Sequence, residues 1–155
     1  MIPEFDTLTK QELELAYKAP ILVSILIAGA DGTVDRREII GAIQSVQKKL
    51  RRSTSSLATL LHEVASDFED KIKLLMQEYP YESSQRNPLI VEELQRVNDL
   101  FTKLDPAFAH EMYNTLLAIA EKTARSSGGF LGLSKIGPEE ARYMKLPMIK
   151  PVSKP

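Results

Sequence analysis

The chain has 155 residues, 43% of them hydrophobic and 26% charged, which is enough for one domain with its own core and no covalent staple. It contains no cysteine, which excludes a disulfide scaffold, a thiolate metal site and a cysteine nucleophile. Its 20 basic and 21 acidic residues leave a net charge of −1, so no general pull toward nucleic acid or an anionic membrane is expected.

In chain order, the start Met1-Ile2-Pro3-Glu4-Phe5-Asp6 is acidic and lacks the basic-then-apolar pattern of a secretory signal, so the expected compartment is the cytoplasm. Thr9 followed by Glu12 has the spacing of a capping box, and it predicts a helix through Leu13, Ala16 and Tyr17. Pro20 either kinks that helix or begins a new one. The apolar run over 20–30 is about half of the ~20 residues that a bilayer requires, so it is expected as a buried core helix without membrane insertion. Asp35 then caps a helix with apolar residues at Ile39, Ile43, Val46 and Leu50, a period near 3.6. Four hydroxyl residues at 53–56 break the pattern, and one stripe follows from Leu57 through Phe68 to Leu75. Asn87-Pro88 and Asp105-Pro106 each look like a cap with proline at the first helical position. Their stripes are Ile90 to Leu104 and Met112 to Ala120. The glycines at 128–132 stop the second, and a short last helix is expected from Pro138. No stretch alternates with period two, so the expected class is all-α: a single-domain bundle of about six or seven helices over 1–146, with a flexible C-terminal tail over 147–155.

The segment 30–38, Ala-Asp-Gly-Thr-Val-Asp-Arg-Arg-Glu, puts Asp31, Asp35 and Glu38 within eight positions at a helix–loop–helix corner. Carboxylate oxygens gathered in a turn suit a hard divalent cation, calcium or magnesium. Capping explains the same residues without a metal. Asp31-Gly32 is a common turn pair, while Asp35 and Glu38 can satisfy orphan amides at the positive end of the helix dipole. An EF-hand is excluded, because counting from Asp31 places glycine second and Ala42 twelfth, where that loop needs glycine sixth and glutamate twelfth.

This corner, behind an apolar helix, resembles the TerB-like (tellurite-resistance) family, which is all-helical, carries a repeated Ala-Asp-Gly-x-Val-Asp-x-x-Glu corner and is linked to resistance to tellurite and other stresses in bacteria. The resemblance follows the helix order along most of the chain. It implies a metal site at Asp31, Asp35 and Glu38, and it implies no reaction. A second copy is visible where Ile136-Gly137-Pro138-Glu139-Glu140 is laid on 34–38, with the apolar residue and last glutamate at the same separation. Two pseudo-repeated corners related by an approximate two-fold axis would bring Glu139 and Glu140 to the first acidic corner. The second copy departs from the family pattern, with Gly137 in place of the aspartate, so one site is expected rather than two.

The remaining signals are weaker. Gly128, Gly129 and Gly132 have neither P-loop nor dinucleotide-loop spacing. His62 and His110 are single histidines on different helices, expected as ordinary polar residues. Lys48-Lys49-Leu50-Arg51-Arg52 suits the negative end of a helix dipole. No serine elbow or other nucleophile–base pair is legible. The expected function is therefore a non-catalytic stress-associated accessory protein with protein partners, binding a divalent cation at the acidic corner. The alternatives are a helical interaction module without metal and, last, a metal-assisted hydrolase. A bundle with amphipathic edges can also pair as a homodimer.

Overall fold

In the computed structural model, which describes residues 2–29, 35–50, 56–127 and 138–155, the central element is helix α1, Lys10–Ala28. Thr9 opens it with the expected capping box: its hydroxyl accepts from the Glu12 amide at 3.2 Å, and the Glu12 carboxylate accepts from the Thr9 amide at 2.8 Å. Lys103 lies against the same carboxylate and, as the main cause, holds it below the ordinary carboxylate range. From Ala19 onward every residue of α1 is buried, as the apolar run predicts. Pro20 neither ends the helix nor starts a new one. It removes one amide donor, and Ser24 Oγ donates back to the Pro20 carbonyl at 3.1 Å.

The other elements are α2 (Arg36–Leu50), α3 (Ser56–Ser66), α4 (Phe68–Glu78), α5 (Ser83–Gln95), α6 (Val97–Thr102), α7 (Pro106–Ser127) and α8 (Pro138–Tyr143). Most of them pack around α1, and α4 packs on α3. Helix α1 packs against α2, α3, α5, α6, α7 and α8, and α7 also lies along α2. The protein is thus an all-α single-domain bundle, with no strand among the described residues. Thr123 of α7 reaches across the core to Ser24 while bonding its own Ile119 carbonyl, so the one buried hydroxyl pair at this contact is satisfied internally. Between α1 and α3, Tyr17 donates to the Glu63 carboxylate; burial, with the Glu63 contact second, pushes the phenol up to about 12.

Three boundaries depart from the sequence pattern. The stripe from Leu57 to Leu75 is two helices, broken at Asp67, and the stripe from Ile90 to Leu104 is broken at Arg96. Both breaks occupy one residue, so the apolar period continues across them. Helix α5 begins at Ser83, one turn before the expected Asn87-Pro88 start. The Arg86 amide donates to the Glu82 carbonyl at 2.8 Å, and Pro88 forfeits only a bond to the carbonyl of exposed Ser84, which water can satisfy.

The segment 147–155 was expected as a flexible tail, but its first part is anchored. Leu146, Met148 and Ile149 are buried. Asn98 brackets Ile149, donating to the Met148 carbonyl at 3.0 Å and accepting from the Lys150 amide at 2.7 Å. His110 Nδ1 donates to the Val152 carbonyl. Leu146 takes a left-handed φ of 49°, a conformation costing about 1–2 kcal/mol that is offset by full burial of its side chain.

Helix α2 carries a glycine with room to spare: a Cβ at Gly41 would meet nothing within 4 Å, on an exposed face. Gly41→Ala is expected to stabilise the protein by about 0.5–1 kcal/mol, read as a higher urea midpoint. An unchanged or lower midpoint would show that α2 is not a regular helix at this position.

Candidate functional site

The acidic corner lies between the end of α1 and the start of α2, and the two sides are held differently. On the α1 side the chain ends in a buried residue, Gly29, whose amide closes the helix on the Ile25 carbonyl at 2.8 Å. The last carbonyls at a helix end have no intrahelical donor, and burial leaves the Gly29 carbonyl little access to water. The donor is Arg86 of α5, only 1% exposed, whose Nη2 gives a hydrogen bond to the Gly29 carbonyl at 2.8 Å. Its Nη1 donates to the Tyr81 carbonyl at 3.1 Å and its Nε to Asn87 Oδ1 at 3.4 Å.

All three acceptors are neutral oxygens, and among the described residues no carboxylate pairs with Arg86. Burial moves the guanidinium pKa below its ordinary value, but arginine starts so high that it stays charged. The negative end of the α1 dipole supplies part of the missing counter-charge. Sequence reasoning passed over Arg86, although a signal was there: it sits one turn before Ile90 and two before Leu94, on the buried stripe of α5.

On the α2 side Asp35 behaves as an N-cap. Its Oδ1 accepts from the Arg37 amide at 2.9 Å, and its carbonyl accepts from the Ile39 amide at 3.3 Å. Its side chain is exposed. Glu38 follows in the first turn of α2, half-buried and engaged with a partner of its own. Arg36, between them in sequence, reaches Glu69 of α4 at 3.5 Å, an exposed contact of little energetic weight.

Of the predicted ligands, Asp35 and Glu38 are thus placed together at the head of one helix. Asp31 lies outside the described residues, as do the 128–132 glycine loop and residues 136–137 of the second corner. Glu139 and Glu140 fall on α8, which packs on α1 and α7. Among the described residues no three histidine, aspartate or glutamate side chains form a metal-holding group.

The histidines hold local positions: His62 Nδ1 faces Gln47 Nε2 at 3.4 Å between α3 and α2, and His110 Nε2 faces Asn114 at 3.1 Å. With Nδ1 donating to Val152, the neutral His110 tautomer accepts at Nε2 from the Asn114 amide. Among the described residues no helix is long and apolar enough to cross a membrane. Compared with family models, curated proteins and solved structures, the chain matches none.

Replacing Arg86 by Met removes the donor from the buried Gly29 carbonyl and also removes the cost of burying a charge. Among the described residues the Gly29 carbonyl has no other donor, so the first effect is expected to win, destabilising by about 2–3 kcal/mol in urea unfolding. An Arg86→Met protein as stable as the parent would show that the guanidinium is strain rather than cap.

Proposed function

We propose that this chain is a non-catalytic, cytoplasmic accessory protein of the stress- and tellurite-resistance kind that its 30–38 corner resembles, and that it works by presenting that corner to a protein partner. The observation that carries this reading is the pinning of both ends of the corner. Arg86 fixes Gly29 from inside the core, and Asp35 fixes the first turn of α2. Two ends fixed in this way lose little conformational entropy when a partner contacts them. The capping role of Asp35 occupies one of its oxygens, and the buried cation of Arg86 lies at the α1 end of the same corner. Both features weigh against tight cation binding, since a nearby positive charge repels a metal ion.

The second reading is a divalent cation, calcium or magnesium, held by Asp31, Asp35 and Glu38 with Glu139 and Glu140 from the second corner. It is favoured by the exposed Asp35 side chain, which uses only Oδ1 for the cap, one turn from Glu38.

Calorimetric titration separates the two. The first reading predicts no carboxylate-dependent heat with calcium or magnesium up to about 1 mM, the weak end of calcium affinities in proteins. It also predicts the same trace for the Asp31→Asn, Asp35→Asn double variant. Binding by the parent protein that the double variant loses, with its helical circular dichroism intact, would replace the first reading by the second.

A further inference from the structure

At the far end of α2 from the acidic corner, its last turn meets the C-terminal half of α7 and forms a shallow notch of about 190 Å³. Its floor is apolar and small, Val46 and Ala118, and its rim carries Ser45, Lys49, Lys122 and Arg125. Glu121 lies at the same rim but is taken by Arg125, which donates to it from Nε at 3.2 Å and from Nη2 at 3.0 Å. Lys49 and Lys122 are exposed and form no ion pair among the described residues. Lys48 precedes Lys49 on α2, also exposed, and the sequence continues Arg51-Arg52.

Cations on the last turn of one helix are explained by its dipole alone. Here two helices, distant in sequence, deliver uncompensated cations to one notch with an apolar floor. The acidic and basic ends of α2 are separated by its 15 residues, about 20 Å of helix. The local field at the notch is therefore positive although the chain as a whole carries −1.

We infer that this notch is a docking site for an acidic peptide segment of a protein partner, one that offers Asp or Glu carboxylates beside an aliphatic side chain. The carboxylates meet Lys49 and Lys122, and the aliphatic group covers Val46 and Ala118. The dimensions favour a peptide over a nucleic acid. The notch spans one turn of α2 and about two of α7, too short to track a phosphate backbone, and no aromatic ring lines it for a base to stack on. The inference deepens the interaction-module reading by naming a partner chemistry, yet it concerns a surface separate from the 30–38 corner, so it stands or falls independently of the metal titration.

The test is fluorescence anisotropy with a labelled short peptide of Glu, Asp and Leu, against a labelled single-stranded RNA of equal charge and a Lys-rich peptide. The full chain is expected to bind the acidic peptide, more weakly as salt rises. Lys49→Glu with Lys122→Glu is expected to weaken binding at least about tenfold while the helical circular dichroism is unchanged. If that pair disturbs the fold, Lys49→Ala with Lys122→Ala provides the same readout without introducing like-sign repulsion at Glu121. Failure of the acidic peptide to bind, equal binding by the RNA, or binding untouched by both lysine pairs would each overturn the proposal.

Discussion

A helix buried on every side has nowhere to send its terminal carbonyls. That constraint shapes this protein more than any other. The second half of α1 is enclosed by its neighbours, and each fully buried Ile or Leu there contributes about 1.5–3 kcal/mol through removal from water. The same enclosure makes an unmet backbone group expensive, about 1–3 kcal/mol for a buried acceptor left without a donor. Arg86 resolves the conflict at the C-terminal end. It is long enough to reach from α5 and can donate in several directions at once, so one side chain ties Gly29, Tyr81 and Asn87 together.

The two described ends of the corner between α1 and α2 are held by different contacts. Gly29 is fixed by a core contact, and Asp35 by a local cap. A carboxylate that caps a helix and a guanidinium that caps the preceding one are complementary in sign. The opposite pole of α2 is basic for an equally local reason, the preference of lysine for the end of a helix, but packing against α7 converts that preference into a surface feature. Both candidate sites therefore sit at the ends of one helix, and both depend on a neighbouring helix to complete them.

What was legible in the sequence was local. The Thr9 capping box and the Asp105 cap, whose Oδ2 accepts from the Ala107 and Phe108 amides at 3.1 and 3.2 Å, join residues a few positions apart, and the spacing alone predicts them. The all-α class follows from stripes that no strand period competes with. The breaks at Asp67 and Arg96 were hidden because the apolar period runs straight through them. Asn87-Pro88 misled because proline at the sixth position of a helix costs one bond rather than ending it. The anchoring of 146–152 has no period to betray it, since it rests on Leu146, Met148 and Ile149 in an irregular, turn-rich segment and on Asn98 and His110 from other helices. At the site, Asp35 and Glu38 were legible as a pair because both lie at one helix start. Arg86 was not, because its essential contact is 57 residues away and its charge disguises it as a surface residue.

The claim that Arg86 completes the end of α1 and thereby fixes the corner is tested most directly by amide hydrogen exchange on the Arg86→Lys protein. Lysine keeps the charge and loses the planar fork that serves several acceptors. The account predicts faster exchange at Gly29 and over the first turns of α2, with the Leu22–Leu26 stretch of α1 still protected. Unchanged exchange at Gly29 and along the start of α2 would contradict it, and would leave the corner to be fixed by its own caps alone.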